Sequence, residues 1–285
     1  MMNLNPTPRY NRQQGARIFV GLVTLGALTT FFSACSFSFT RFEFHRAKEE
    51  LNSKHYAQAV ANFKKIMNRA PESSLALESA REAARITFFD TKSYNQAIEF
   101  YNHLVEFSRN EKERRDSQRA IAGIYFNDLS NYPKAIEAYN KLLLVETNPA
   151  HIVRYRFNLA RSYFYMNRFF DAKNEIEQAL RLAKNAGRKF ELNMFLASIY
   201  FNMKHVDRAL NVYKELESKF PKKAKEENIA LNESVCYEEA GQFDNAIQEL
   251  KSIKSTYKDP EFIALKIKQL QERKANLPGA KGLKR

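Results

Sequence analysis

Six alanines recur along this chain in equivalent surroundings, Ala59, Ala97, Ala135, Ala172, Ala209 and Ala246, at spacings of 38, 38, 37, 37 and 37 residues. So regular a period confines the chain to an architecture that stacks one structural unit on its own copies. Three residues before each alanine stands Tyr56, Tyr94, Tyr132, Phe169, Val206 or Phe243, and four after it Phe63, Tyr101, Tyr139, Ile176, Tyr213 or Leu250. Spacings of three and four put these side chains on one face of a helix. Twelve residues before the alanines come Ala47, Arg85, Gly123, Ala160, Ala197 and Ser234, mostly small. Each period therefore reads as two antiparallel helices. Helix A brings the small residue and helix B the alanine, so that the two axes approach closely where they cross. Such a hairpin leaves an apolar face that only the next hairpin buries, which makes the array cooperative.

This pattern resembles the tetratricopeptide repeat, with its small residue in helix A, aromatic at the turn and Ala-x-x-x-aromatic in helix B. The resemblance implies an all-α solenoid of six helix-turn-helix repeats over residues 40–258. The prolines agree with that register: Pro71, Pro149 and Pro221 fall between repeats, and Pro133 falls in the first turn of a helix B, where a missing N–H costs nothing. Asp259, Pro260 and Glu261 supply an N-cap, a first-turn proline and a first-turn acid. They predict a capping helix over 259–275, with Ile263, Ile267 and Leu270 on the stripe that covers repeat six. Residues 276–285, with Pro278, Gly279 and Gly282, read as a flexible basic tail.

The other end of the chain reads as an address. Arg9, Arg12 and Arg17 precede fifteen uncharged residues, Ile18 to Phe32, followed by Ser33, Ala34 and Cys35. A helix of that length reaches about 22 Å, short of the ~30 Å hydrocarbon core, so an export signal over residues 1–34 fits better than a membrane span. Ser33-Ala34-Cys35 resembles the lipobox of bacterial lipoprotein signal peptides. The resemblance implies that Cys35 becomes a lipidated N-terminus and that residues 35–39 form a short tether. With Ser36 in place of Asp, it also implies the outer membrane, on the face toward the periplasm. Multiple acyl chains give stable anchoring where a single one does not.

The chain carries 46 Lys plus Arg against 32 Asp plus Glu, a formal charge of +14. Arg9, Arg12 and Arg17 belong to the signal, and the segment 273–285 adds basic residues without an acid, so the repeat body is only moderately basic. A body of such modest charge, in a chain that reads as exported, is not expected to have a nucleic-acid partner. Catalytic chemistry is not expected either. His45, His55, His103, His151 and His205 are scattered through the repeats and read as surface residues; none pairs at i, i+4 around a Glu to bind zinc. Cys236 sits between Val235 and Tyr237 with no base beside it and reads as a packing residue. The glycines form no phosphate loop. The expectation is no enzyme, no metal, no cofactor and no small-molecule substrate.

In tetratricopeptide proteins helix A lines the binding groove. The resemblance carries that role to Phe44 and Leu51, to Ile86 and Phe89, to Ile124, Asn127 and Asp128, and to Leu231, Val235 and Glu238. The strongest candidates are Arg154, Phe157, Arg161, Phe164 and Tyr165 in repeat four and Met194, Phe201 and Asn202 in repeat five. Exposed aromatics rimmed by arginine suit capture of an apolar segment of another protein; closure by neighbouring repeats would instead make the same residues core. Basic clusters also recur where one repeat hands over to the next, among them Arg181, Lys184, Arg188 and Lys189, and Lys219, Lys222, Lys223 and Lys225. They would line one edge, and either face water or meet anionic headgroups or an acidic partner. The function expected is a lipid-anchored scaffold for cell-envelope proteins. It is similar to the tetratricopeptide lipoproteins that help assemble outer-membrane β-barrels, pili or secretins. The alternative is an adaptor that recruits peptidoglycan enzymes.

Overall fold

The structure, a computed structural model, describes residues 39–276. The expected signal peptide 1–34, the lipid-bearing Cys35 and most of the basic tail lie outside the described residues. Within them the chain is all-α and forms two compact units divided after Ala120.

The first unit holds α1 (residues 39–52), α2 (Tyr56–Arg69), α3 (Ser74–Arg85), α4 (Tyr94–Phe107) and the start of α5 (Glu111–Gly123). Its core closes around Phe44, Ala47, Ala59, Phe63, Ile66 and Ala84. The second unit takes in the end of α5, then α6 (Tyr132–Val145), α7 (Pro149–Tyr165), α8 (Phe169–Leu182), α9 (Ala186–Asn202) and α10 (Val206–Lys219). It ends with the short α11 (Pro221–Glu226), α12 (Ile229–Glu239), α13 (Phe243–Ile253) and α14 (Pro260–Ala275). Helices α7 and α8, α9 and α10, and α12 and α13 pack as hairpins, while α8 on α9 and α10 on α12 join one hairpin to the next. All six recurring alanines are completely buried, and each recurring Tyr, Phe or Val before them is the first residue of its helix B. A fully buried Leu159, Ile176 or Leu192 stabilises the stack by about 1.5–3 kcal/mol. Asp259 Oδ1 accepts the Phe262 amide at 3.0 Å, and α14 lays Ile263, Ile267 and Leu270 into the core of the last hairpin.

The small-residue register needs correction in repeats two and three. Arg85 is exposed, pairing with Glu82 and Asp90, and Gly123 is not at the crossing; Ala84 and Ala122, one residue earlier, are buried there. The cause is local. Helix α3 runs into a π turn, Ile86–Asp90, and α5 into another, Ile124–Asp128, with the Thr91 and Leu129 amides donating five residues back to Ile86 and Ile124. A π turn absorbs one residue more than an α turn. These two helices lie inside the two 38-residue intervals, so the longer period is a π turn in helix A. Consequently Ile86 and Ile124, expected in the groove, are buried core; Phe44 on α1 is buried too, packed on the Phe63 ring at 5.8 Å.

A second periodicity sets the hairpin turns. Lys54, Lys92, Ser130, Asn167, Lys204 and Gly241, five residues before each alanine, all adopt positive φ, between 47° and 71°. A left-handed residue reverses the chain so that the next amide reaches back to the helix end. Thus the amide of His55 donates to the Glu50 carbonyl at 2.8 Å, that of Arg168 to Tyr163 at 2.9 Å and that of Gln242 to Tyr237 at 2.8 Å. Only Gly241 takes this conformation without a Cβ penalty. Helix A starts are capped in turn by Ser73, Asn110, Asn148 and Asn185, whose side chains accept amides of the first turn.

Candidate functional site: an arginine-centred aromatic face

Helix α7 places Arg154, Phe157, Arg161, Phe164 and Tyr165 at helical spacings of three, four, three and one, so the first four share a face. Arg161 is the centre. Its guanidinium lies 4.6 Å from the Phe126 ring centroid and 5.8 Å from that of Phe157. From Phe157 the aromatics continue edge-on to Phe195 on α9 at 5.5 Å, then to Phe164 at 5.2 Å, and on to Phe169 at 5.3 Å. On the other side Tyr165 stacks on Tyr132 at 4.9 Å with 21° between the planes, and both reach Phe126. Edge-to-face and cation–π contacts of this kind hold a cluster rigid without burying it.

Phe157 and Phe164 are half-buried and rest on the core of α7, α8 and α9, whereas Tyr165 is 52 % exposed. The groove-or-core alternative therefore has a mixed answer: the rings are footed in the core and show an edge. Arg154 lies along the same face, 5.6 Å from the Tyr155 ring, and its Nη2 is buried with no acceptor among the described residues. Between the two arginines Asn158 donates to the Tyr139 hydroxyl at 3.0 Å, and burial pushes that phenol's pKa up. The remaining candidates are elsewhere. Met194 and Phe201 are half-buried against the core of the later hairpins, and exposed Asn202 spends its amide on the Ser198 carbonyl at 2.8 Å. Sequence reasoning missed Phe126, Tyr132 and Phe195. Phe195 is the neighbour of Met194, about 100° round α9, and the unrecognised π turn displaced Phe126.

The face can hold an apolar side chain against its ring edges and offer the partly exposed Arg161 guanidinium to a carbonyl or carboxylate. It contains no nucleophile and base pair. The Cys236 thiol, buried elsewhere on α12, is pushed up to about 11 by burial and by Glu233, which keeps it protonated. The histidines are not all mere surface residues: His103 is half-buried, hydrogen-bonded to the Pro71 carbonyl at 3.0 Å, and burial lowers its pKa. His151 pairs with Glu146 at 2.9 Å. Among the described residues no cluster of His, Cys, Asp and Glu is placed to hold a metal, and no helix is long and apolar enough to cross a membrane.

Two segments match family models described as tetratricopeptide repeat: residues 153–185, which hold most of α7 and all of α8, and residues 196–223, which hold the C-terminal part of α9 and all of α10. These two segments are tetratricopeptide repeats. Solved tetratricopeptide proteins share the fold. One from Parabacteroides merdae ATCC 43184 is 16% identical, covering 82% of this chain and 88% of that one with a TM-score of 0.51. YrrB, described as a tetratricopeptide protein with an unusual peptide-binding site, is 16% identical over 73% of this chain and 97% of its own, TM-score 0.51. PilW, a type IV pilus biogenesis factor, is 13% identical over 79% and 98%, TM-score 0.50. No curated protein matches the sequence. Tetratricopeptide repeats are protein-interaction scaffolds, and that coarse function fits a face built from rings and arginines.

Proposed function

We propose that this chain is a non-catalytic, lipid-anchored scaffold of the bacterial outer membrane, facing the periplasm, that captures an apolar segment of another envelope protein on the α7 face. The observation that carries the reading is Arg161 clamped between Phe126 and Phe157, with Tyr165 exposed beside it and Arg154 Nη2 buried without an acceptor. Aromatics beside Arg are the side chains that concentrate binding energy. Ser33-Ala34-Cys35 supports the anchor. The fold likeness to PilW is consistent with assembly of outer-membrane proteins, pili or secretins as the setting.

Two measurements test this. A photo-crosslinker at Tyr165, activated in the native envelope, is expected to trap β-barrel, pilus or secretin subunits; peptidoglycan hydrolases in their place would replace this setting with the adaptor alternative. The intact mass of the mature N-terminal peptide is expected to carry a diacylglyceryl thioether on Cys35, and an unmodified Cys35 removes the anchor.

A further inference from the structure

The basic turns at the repeat boundaries converge in space. Lys184, from the turn before α9, Arg188, from the first turn of α9, and Lys223, from α11, meet around a cleft of about 720 Å³ at the N-terminal ends of α7 and α9. Its apolar floor includes Val153 and Ala183, with Leu182 exposed on its wall. A second hollow of about 330 Å³ shares Lys184, adds Lys189 and Lys219, and is floored by Val212, Leu216 and Phe220. Arg188 pairs with Glu191 and Lys219 with Glu215, but Lys184, Lys189 and Lys223 have no carboxylate partner among the described residues. Lys223 is held in place: its ammonium lies 4.6 Å over the Phe190 ring, and a Cβ on Gly187 would stand 3.9 Å from it and 3.2 Å from the capping oxygen of Asn185.

We propose that these adjoining clefts form a second docking site, separate from the aromatic face, for an acidic amphipathic polypeptide segment of another protein. Three unpaired ammonium groups on the rim call for carboxylates, and two recessed apolar floors call for aliphatic side chains between them. A small anion would leave the floors unused. A bilayer surface would need several large apolar groups that protrude, whereas Val153, Ala183 and Leu216 are buried at the bottom and Leu182 is the one large apolar side chain of the lining that is exposed. The chain's own C-terminal segment cannot be the occupant, since Lys281, Lys284 and Arg285 repel the rim. The cleft is at the opposite end of α7 from Tyr165, about 22 Å along the helix.

The test is fluorescence anisotropy with the full chain and a labelled synthetic peptide alternating Leu with Glu. Saturable binding that weakens with salt is expected. Lys184→Glu with Lys223→Glu should weaken it about tenfold or more, and Lys184→Gln with Lys223→Gln by less, with melting curves unchanged because Lys184 is exposed and Lys223 only half-buried. Binding insensitive to both pairs overturns the proposal. So does loss of binding in Arg161→Ala with Tyr165→Ala alone, which would move the peptide to the aromatic face and leave the scaffold reading standing. Preferential capture of phosphatidylglycerol vesicles by the wild-type clefts, or full competition by millimolar inorganic phosphate, would also overturn it.

Discussion

Glu233 offers a sharp test of how the last hairpin is packed. It lies on α12 with only 2 % of its surface exposed, and its Oε1 has no hydrogen-bond partner among the described residues. Burial, then the charges of Glu217 and Glu249, push its carboxyl up to about 8 against an ordinary 4.5, and Lys214 offsets only part of this. An acid whose pKa is raised by folding holds its proton in the folded state and loses it on unfolding. Between pH 4.5 and about 8 stability therefore falls as pH rises, by about 1.4 kcal/mol for each pH unit. The cumulative cost is at most about 3 kcal/mol at pH 7 and about 5 kcal/mol above pH 8, before relaxation of α12 reduces it. Cys236 provides the assay, because it is buried one turn along the same helix. Its rate of alkylation, read by mass spectrometry on its own peptide and corrected for thiolate fraction, gives the free energy of local opening. Wild-type opening is expected to become easier from pH 5 to pH 8, and Glu233→Gln, which cannot ionise, should remove most of that slope. Glu217 and Glu249, both raised by burial, contribute a remainder of the same sign. Parallel pH profiles for wild type and Glu233→Gln would refute the buried-acid argument.

The hairpin turns give a second prediction: Lys54→Gly, Lys92→Gly or Lys204→Gly should each stabilise by about 0.5–1 kcal/mol in urea unfolding, while Gly241→Ala should cost about 1 kcal/mol. The π-turn register predicts that Ala84→Leu, which overfills a crossing, costs about 1–3 kcal/mol, whereas Arg85→Leu stays within about 0.5 kcal/mol; the reverse order would restore the uncorrected register. His103 has its pKa lowered by burial, so the first unit should lose stability as pH falls below the ordinary imidazole value of 6.5, and His103→Gln should blunt that loss in amide exchange of α4. On the aromatic face, Arg161→Met should abolish partner capture with a small change in melting temperature, since the guanidinium touches rings but makes no ion pair among the described residues.

What the sequence made legible follows from which interactions are local. The alanine period was readable because a helix crossing has room for a methyl group and nothing larger, so the same residue type is forced at each repeat. The Asp259-Pro260 start of α14 was readable because capping depends on neighbours within one turn. The left-handed turns were equally periodic but carried by Lys, Ser, Asn and Gly, residue types that share a tolerated backbone and no common chemistry, and so they passed unseen. One extra residue in the 38-residue intervals was visible as a number but not as a place. Its absorption in α3 and α5 rather than in a loop is decided by where the i to i+5 bond is tolerated, and it turned Arg85 outward and Ile124 inward. The binding face shows the same division. Phe157, Arg161 and Phe164 could be placed from one helix; Tyr132 and Phe126 join them only because α6 packs on α7 and the π turn after α5 packs on α6, and Phe195 because its ring reaches Phe157 and Phe164 from α9. The basic cleft is the extreme case, since Lys184 and Lys223 are 39 residues apart and converge because successive turns stack at one edge. In a repeat chain, then, the scaffold is written within each period and the recognition surface between periods, so substitutions at crossings should move stability while substitutions across neighbouring repeats should move partner choice. A chain engineered by inserting one additional repeat between α8 and α9 would keep both crossings and melt at no lower temperature, yet it would separate Phe157 from Phe195 and Asn148 from Asn185 and lose both binding surfaces together.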